Sequence, residues 1–226
     1  MPRAKPRILF HVGGPAFHPV AEQAACIAAW LGGEYVCEVA DGRSAFERLD
    51  ACDLFVIMGL QWTGQQEAYF PLTPDDRGAF ERYVASGKPL LTHHGGVASY
   101  DDWPQFGELL GWTWVWGTTG HSPVAEHKVE VLLTAHPIVA GVSDFALVDE
   151  LYHSVKVTEG MHHSVHAQAH WLERTLPMVS TAEGGRVAGA GRAAYLANGH
   201  DMRAFEAPAL RQLWINAVRW LLDLIP

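Results

Sequence analysis

The chain has no run of lysine or arginine, and its 16 basic residues are outnumbered by 25 acidic ones for a formal net charge of −9. A surface of that sign repels nucleic acid and anionic membranes rather than recruiting them. Long apolar stretches are missing too; none approaches the roughly 18 residues that a membrane span needs. The basic start, MPRAKPRILFHVGG, meets two glycines after an apolar run too short for the core of a secretion signal. Cysteine is scarce. Cys26, Cys37 and Cys52 are odd in number and lack CxxC spacing, which argues for buried free thiols in a reducing compartment, with the cytoplasm as the expected location. No internal repeat, low-complexity tract or linker interrupts the 226 residues, of which 49% are hydrophobic. One domain over 1–226 is therefore expected.

What the sequence has in excess is histidine, 13 residues, and tryptophan, 9. Such an excess calls for a site only where the side chains converge. In the first half, short apolar runs alternate with amphipathic ones. Residues 7–12 read as a strand stopped by Gly13-Gly14, and His18-Pro19 opens a helix with Ala24, Ile27, Ala28 and Leu31 along one face. Residues 35–39 and 54–58 read as strands, the latter apolar throughout, as a strand buried on both faces should be. Thr73 to Asp76 is a capped helix start, Gly87 a stop, and 89–92 a fourth strand that ends in His93, His94, Gly95 and Gly96. Units of this kind imply a parallel sheet with helices on both faces, binding ligands at the carboxyl ends of its strands. His94 stands at such an end.

From about Gly111 the character changes. Short candidate strands at 128–132, 145–148, 155–157, 165–169 and 178–182 come without long helices between them and suggest an antiparallel extension. Residues 191–197 form a last central strand running into Asn198-Gly199-His200-Asp201. Pro208 opens a closing helix with Leu210, Leu213, Trp214, Ala217, Leu221 and Leu224 on one side.

Several stretches, in this order and spacing, resemble the ThuA-like (trehalose utilisation) family: GKPLLTHHGG at 87–96, ELLGW at 108–112, HPIVAGV at 136–142, FALVDELYH at 145–153, GRAAYLANGHD at 191–201 and WINAVRWLL at 214–222. The resemblance implies a three-layer α/β/α, flavodoxin-like fold of the class I glutamine amidotransferase type, with a mostly parallel central sheet and an antiparallel extension. Related amidotransferases carry a cysteine at the turn after the fourth strand and a histidine after a later one. Here those places hold His94 and His200, and no cysteine is near either turn, so glutaminase chemistry is not expected.

Imidazoles at two strand ends that this fold joins suit a metal ligand or a general base. Glu150 and Tyr152 match the family's D-E-x-Y motif and, two apart on an extended segment, share a face. Glu150 is a candidate ligand or acid–base group, Tyr152 a hydrogen-bond donor. His94, His200 and Glu150 are thus the candidate set for a divalent ion such as zinc, manganese or nickel. His18, in the first strand-to-helix loop, is either a helix cap or a substrate contact. His121 occupies a position that the family pattern also fills with histidine, and Asp201 follows His200; both are candidate substrate contacts, as is Trp62 in the loop after the third strand. His11 and His93 read as packed residues. Trp112, Trp114 and Trp116 alternate and would line one side of a strand, as core, as an interface between copies, or as a platform for sugar rings. His162, His166 and His170 share a face, but an extended chain sets them about 13 Å apart, and only a helix would let them hold one ion; a solvated face is expected.

The function implied by the resemblance is an enzyme of carbohydrate metabolism acting on a sugar or keto-sugar by isomerisation, elimination or hydrolysis, with metal assistance. A non-catalytic sugar-binding module and a metal-dependent amidohydrolase are the alternatives. The expected partner is a small molecule, with self-association left open.

Overall fold

The computed structural model describes residues 4–132, 135–185 and 187–225. In chain order the elements are β1 (Arg7–Val12), α1 (Val20–Leu31), β2 (Val36–Asp41), β3 (Leu54–Ile57), α2 (Pro74–Ala85), β4 (Leu90–His93), α3 (Gln105–Leu110), β5 (Trp112–Thr113), β6 (Gly120–His121), β7 (Ala125–Val131), β8 (Phe145–Asp149), β9 (Tyr152–His153), β10 (Lys156–Val157), β11 (His162–Trp171), β12 (Arg174–Glu183), β13 (Ala193–Leu196) and α4 (Pro208–Leu221). Nine strands make one sheet in the order β2-β1-β3-β4-β13-β12-β11-β7-β8. The first five run parallel, in the flavodoxin-like order. The remaining pairings are antiparallel.

The central strands β3, β4 and β13 are buried at every residue, which is why their sequences are apolar on both faces rather than alternating. On one face α4 packs on β4 and β13 beside α1, which packs on β1 and β2. On the other, Phe46, Phe55, Phe80, Tyr100 and Phe106 interlock edge to face, joining α2 to the sheet. Thr73 caps α2 as its sequence indicates, accepting from the Asp76 amide at 3.2 Å while Asp76 accepts from the Thr73 amide at 2.8 Å.

The link from β2 to β3 holds a run of 3-10 turns over Gly42–Ala51. Three expectations need correction. The segment 155–157 is not part of the extension, because Lys156–Val157 pairs with Trp112–Thr113 in a small separate sheet. The tryptophans do not form a row, since the strand stops at Thr113: Trp112 is buried, and Trp116 is turned out and stacked on Trp62 with ring centres 5.9 Å apart. The closing helix ends at Leu221, so Leu224 is exposed rather than buried.

The histidines of β11 are also rearranged. The segment is a strand, so a shared ion is ruled out by the spacing already given. The register shifts between Val165 and Ala167, and this bulge turns His166 inward. His166 is buried, donates to or accepts from Thr181 Oγ1 at 2.8 Å and stacks on His136 at 4.1 Å, while His162 and His170 face solvent.

Burial pushes the His166 ring down to about 4, with the neighbouring His136 adding to the effect. Burial pushes His11, bonded to Tyr100, down to about 3. Both stay neutral where an unfolded histidine, with a pKa of about 6.5, takes a proton. The unfolded chain therefore binds more protons below pH 6.5, and the stability from each group, complete above that pH, is lost as pH falls toward the folded values. Each contributes a slope of about 1.4 kcal/mol per pH unit. Urea unfolding at pH 6.0, 5.5 and 5.0 is expected to show this acid lability, with His166→Gln reducing the slope by about that amount; an unchanged slope in the variant contradicts it.

Candidate metal centre at the carboxyl ends of the strands

β4 ends in a turn that few sequences tolerate. His94 has φ 38°, a left-handed conformation that a bulky residue adopts only when its surroundings impose it. Here the imposition is visible. Its Nδ1 lies 2.7 Å from the carbonyl oxygen of Ala197, at the end of β13. A carbonyl only accepts, so Nδ1 carries the proton and Nε2 presents a lone pair. Gly95 is required next: a Cβ there would stand 2.8 Å from the ring of His18.

Three further donors meet that lone pair. His18 comes from the loop after β1, His200 from the turn after β13, and Glu150 from the residue after β8. Glu150 Oε1 lies 3.3 Å from His94 Nε2, 3.3 Å from His200 Nδ1 and 4.0 Å from His18 Nε2. His18 Nε2 lies 3.1 Å from His200 Nδ1. All four offer ligand atoms within 4.8 Å of one another, three of them buried. Around an ion bonded at about 2.0–2.1 Å, tetrahedral ligand atoms stand about 3.3 Å apart. His94 Nε2 is buried and has no hydrogen-bond partner. Lone pairs of a carboxylate and imidazoles directed at one point repel unless a cation lies between them, so the donor set fits a bound divalent ion.

With no ion between them, the same groups share protons instead. Burial alone would raise the Glu150 carboxyl, but the rings of His18, His200 and His94 outweigh it and hold the group well below the usual carboxylate range. Burial lowers His18 to about 4, whereas contact with Glu150 raises His200. Of the three imidazoles, His200 is the most accessible, with 15% of its side chain exposed against 4% for His18 and 2% for His94. The open side of the centre is therefore the His200 side.

The Glu150 backbone is fixed by Asp149, which sequence reasoning assigned no role. β8 lies four places from β13 in the sheet, yet its last residue reaches back to the β13 turn. Asp149 is fully buried; Oδ1 accepts from the amides of Glu150 and His200, each at 2.9 Å, and Oδ2 from the Gly199 amide at 2.8 Å and Asn198 Nδ2 at 3.1 Å. One carboxylate thus ties two donors of the cluster together. In the sequence it stood only as the first residue of the D-E-x-Y match, an acidic residue ending an otherwise apolar strand.

His18, expected as a cap or a substrate contact, joins the donor cluster; it makes no side-chain cap on α1. Tyr152 packs on the His94 ring at 4.3 Å beside Glu150, and burial and then the Glu150 charge keep its phenol protonated far above its ordinary value. His121, half exposed, places Nδ1 3.0 Å from Glu150 Oε2 and 2.9 Å from the Ser122 carbonyl. Trp62 lies outside the cluster, against Trp116. Asp201 is turned away, its carboxylate taken by the Arg203 guanidinium at 3.0 Å. His93 packs on Trp214 and Phe205, opposite His94.

The strand order, with a buried left-handed turn after β4, defines a class I glutamine amidotransferase-like fold in which histidine stands at the turn. A glutamine amidotransferase from Thermotoga maritima has this architecture, with a TM-score of 0.55 at 11% identity over 98% of this chain and 100% of that one. The chain belongs to the ThuA family, described as trehalose utilisation, which matches residues 14–221. It is similar to a ThuA-like protein from Bacteroides uniformis, with a TM-score of 0.75 at 19% identity over 98% of this chain and 93% of that one. A ThuA-like protein from Parabacteroides merdae gives 0.76 at 16% identity, over 96% and 90%. At these identities the likeness is one of fold. No curated protein matches the chain. Among the described residues, no helix is long and apolar enough to cross a membrane.

Proposed function

We propose that this ThuA-family chain is a divalent-metal-dependent enzyme of carbohydrate metabolism, acting on a sugar or keto-sugar in the cytoplasm, where its three free cysteines stay reduced. One observation carries the metal: four donors converge on a point, with the tautomer of His94 fixed by Ala197. His18, His94, His200 and Glu150 would hold the ion, and three imidazoles with one carboxylate suit zinc, nickel or manganese. Bound there, the ion would polarise a substrate carbonyl or an adjacent hydroxyl.

The remaining roles belong to the chain. His121 points Nδ1 at two acceptors, so Nδ1 carries its proton and the exposed ring offers Nε2 as a base. Glu150 Oε2 steadies that ring by accepting from Nδ1. Tyr152 keeps its proton and can give a hydrogen bond to a substrate oxygen on the histidine side. A base and a protonated donor flanking a polarised carbonyl suit proton abstraction next to it, and hence isomerisation or elimination of a keto-sugar. The sugar itself rests on the family's description, and fold does not fix substrate.

The test is a panel of keto-glycosides and simple amides offered to metal-loaded protein and to His121→Ala. Turnover of keto-glycosides is expected, with kcat falling on the order of 100-fold or more in the variant while its metal content is kept. Turnover confined to amides overturns the carbohydrate reading; metal without turnover of anything in the panel leaves a binding module.

A further inference from the structure

A second feature lies at the same end of the sheet, on different strands. A cleft of about 460 Å³ opens over the ends of β1, β2 and β3, lined by Gly13, Gly14, Asp41, Ser44, Gln61 and Phe70 among others. It sits where β1 is flanked by β2 and β3, the reversal of strand order at which open α/β sheets take ligands.

Most polar groups around the cleft are engaged. Arg43 pairs with Asp76 at 2.8 Å, Ser44 donates to the Asp41 carbonyl at 2.7 Å, and Gln65 accepts from the Trp62 amide at 3.0 Å. Two are not. The Asp41 carboxylate and the Gln61 carboxamide have no side-chain partner among the described residues, although Gln61 is only 8% exposed. Both lean over Gly13. A Cβ at that glycine would stand 2.1 Å from Asp41 Oδ1 and 2.8 Å from Gln61 Nε2, so the two atoms are brought together only because the residue beneath them has no side chain. Gly13 also has φ 108°, which other residues avoid.

A carboxylate accepts hydroxyl protons, and a carboxamide both donates and accepts. Side by side, they match two adjacent hydroxyl groups. A phosphate or carboxylate ligand is disfavoured, because Asp41 repels it and the nearby Arg43 is already paired. Phe70, 64% exposed at the rim, offers an apolar face to the C–H surface of a ring.

We propose, building on the sugar reading above, that this cleft is a separate binding site for a neutral vicinal diol, held by Asp41 and Gln61, and that the ligand is a sugar or polyol with two adjacent free hydroxyls.

The probe is methyl α-D-glucopyranoside, which has vicinal hydroxyls and no carbonyl, with 2-(hydroxymethyl)tetrahydropyran as the ring lacking a diol. Binding is followed by amide shifts in two-dimensional NMR for the full chain, Asp41→Asn, Gln61→Ala and His94→Ala. The glucoside should shift the amides of Gly13, Gly14, Asp41 and Gln61, and the diol-free ring should not. Asp41→Asn and Gln61→Ala should each weaken binding by about tenfold, the effect of losing one well-placed hydrogen-bonding group. His94→Ala should leave it unchanged even as metal is lost, so the cleft and the metal centre can fail independently. Shifts elsewhere, equal binding of both rings, undiminished binding in the two cleft variants, or no binding at all would each overturn the assignment.

Discussion

Glu150→Gln is expected to abolish metal-induced stabilisation and turnover together. Glu150 is the one anionic donor of the four, its side chain is 6% exposed, and among the described residues it is paired with histidines and with no lysine or arginine. An ion that binds the folded chain at a hundredfold excess over its Kd adds about 2.7 kcal/mol. For a chain of this size that raises Tm by roughly 5–10 °C. The wild-type protein should show that rise with zinc, nickel or manganese, and Glu150→Gln should not. A full metal-induced rise in Glu150→Gln would mean that the ion binds elsewhere.

Asp149→Ala is expected to be the most damaging substitution away from the ligands. It removes the acceptor of three backbone amides and one side-chain amide, all at the β13 turn or the Glu150 segment. Each buried donor left without a partner costs about 1–3 kcal/mol, less where water enters. A total loss of roughly 3–5 kcal/mol is expected, lowering Tm by about 10 °C. Because the same carboxylate positions His200 and Glu150, metal affinity should also fall, on the order of 10–100-fold. Asp149→Asn keeps one acceptor oxygen and should lie between. Urea unfolding and a metal titration of both variants check this; a loss below about 1 kcal/mol would show that Asp149 is not the tie between β8 and the β13 turn.

The parallel half of the fold was legible because its strands, apart from the edge strand β2 with Glu38, are short and largely apolar runs ending in glycine or a polar turn. Loop chemistry then marked the site: the strand end at His94 is where this architecture places reactive groups. His200 was found the same way, helped by the family resemblance. The partnership of His18 was not legible. A histidine ahead of a proline at a helix start reads equally as a cap, and only the third dimension brings the β1 loop beside the β4 turn. The roles of Asp149 and Ala197 were hidden for a related reason: Asp149 opened the D-E-x-Y match, but bonds made by a backbone carbonyl, or by a carboxylate to amides, leave no pattern along the chain. The β11 histidines misled because alternation was extrapolated through a bulge, and one register shift moves a side chain to the other face. The tryptophans misled because alternation was read where the strand had already ended.

The most direct measurement is elemental mass spectrometry of the untagged, chelator-free protein beside His94→Ala and His200→Ala. If the four donors form a metal centre, the wild-type protein holds close to one zinc, manganese or nickel per chain and both variants hold almost none. Metal that survives both substitutions, or a wild-type chain that takes up none even when ions are supplied, would contradict it.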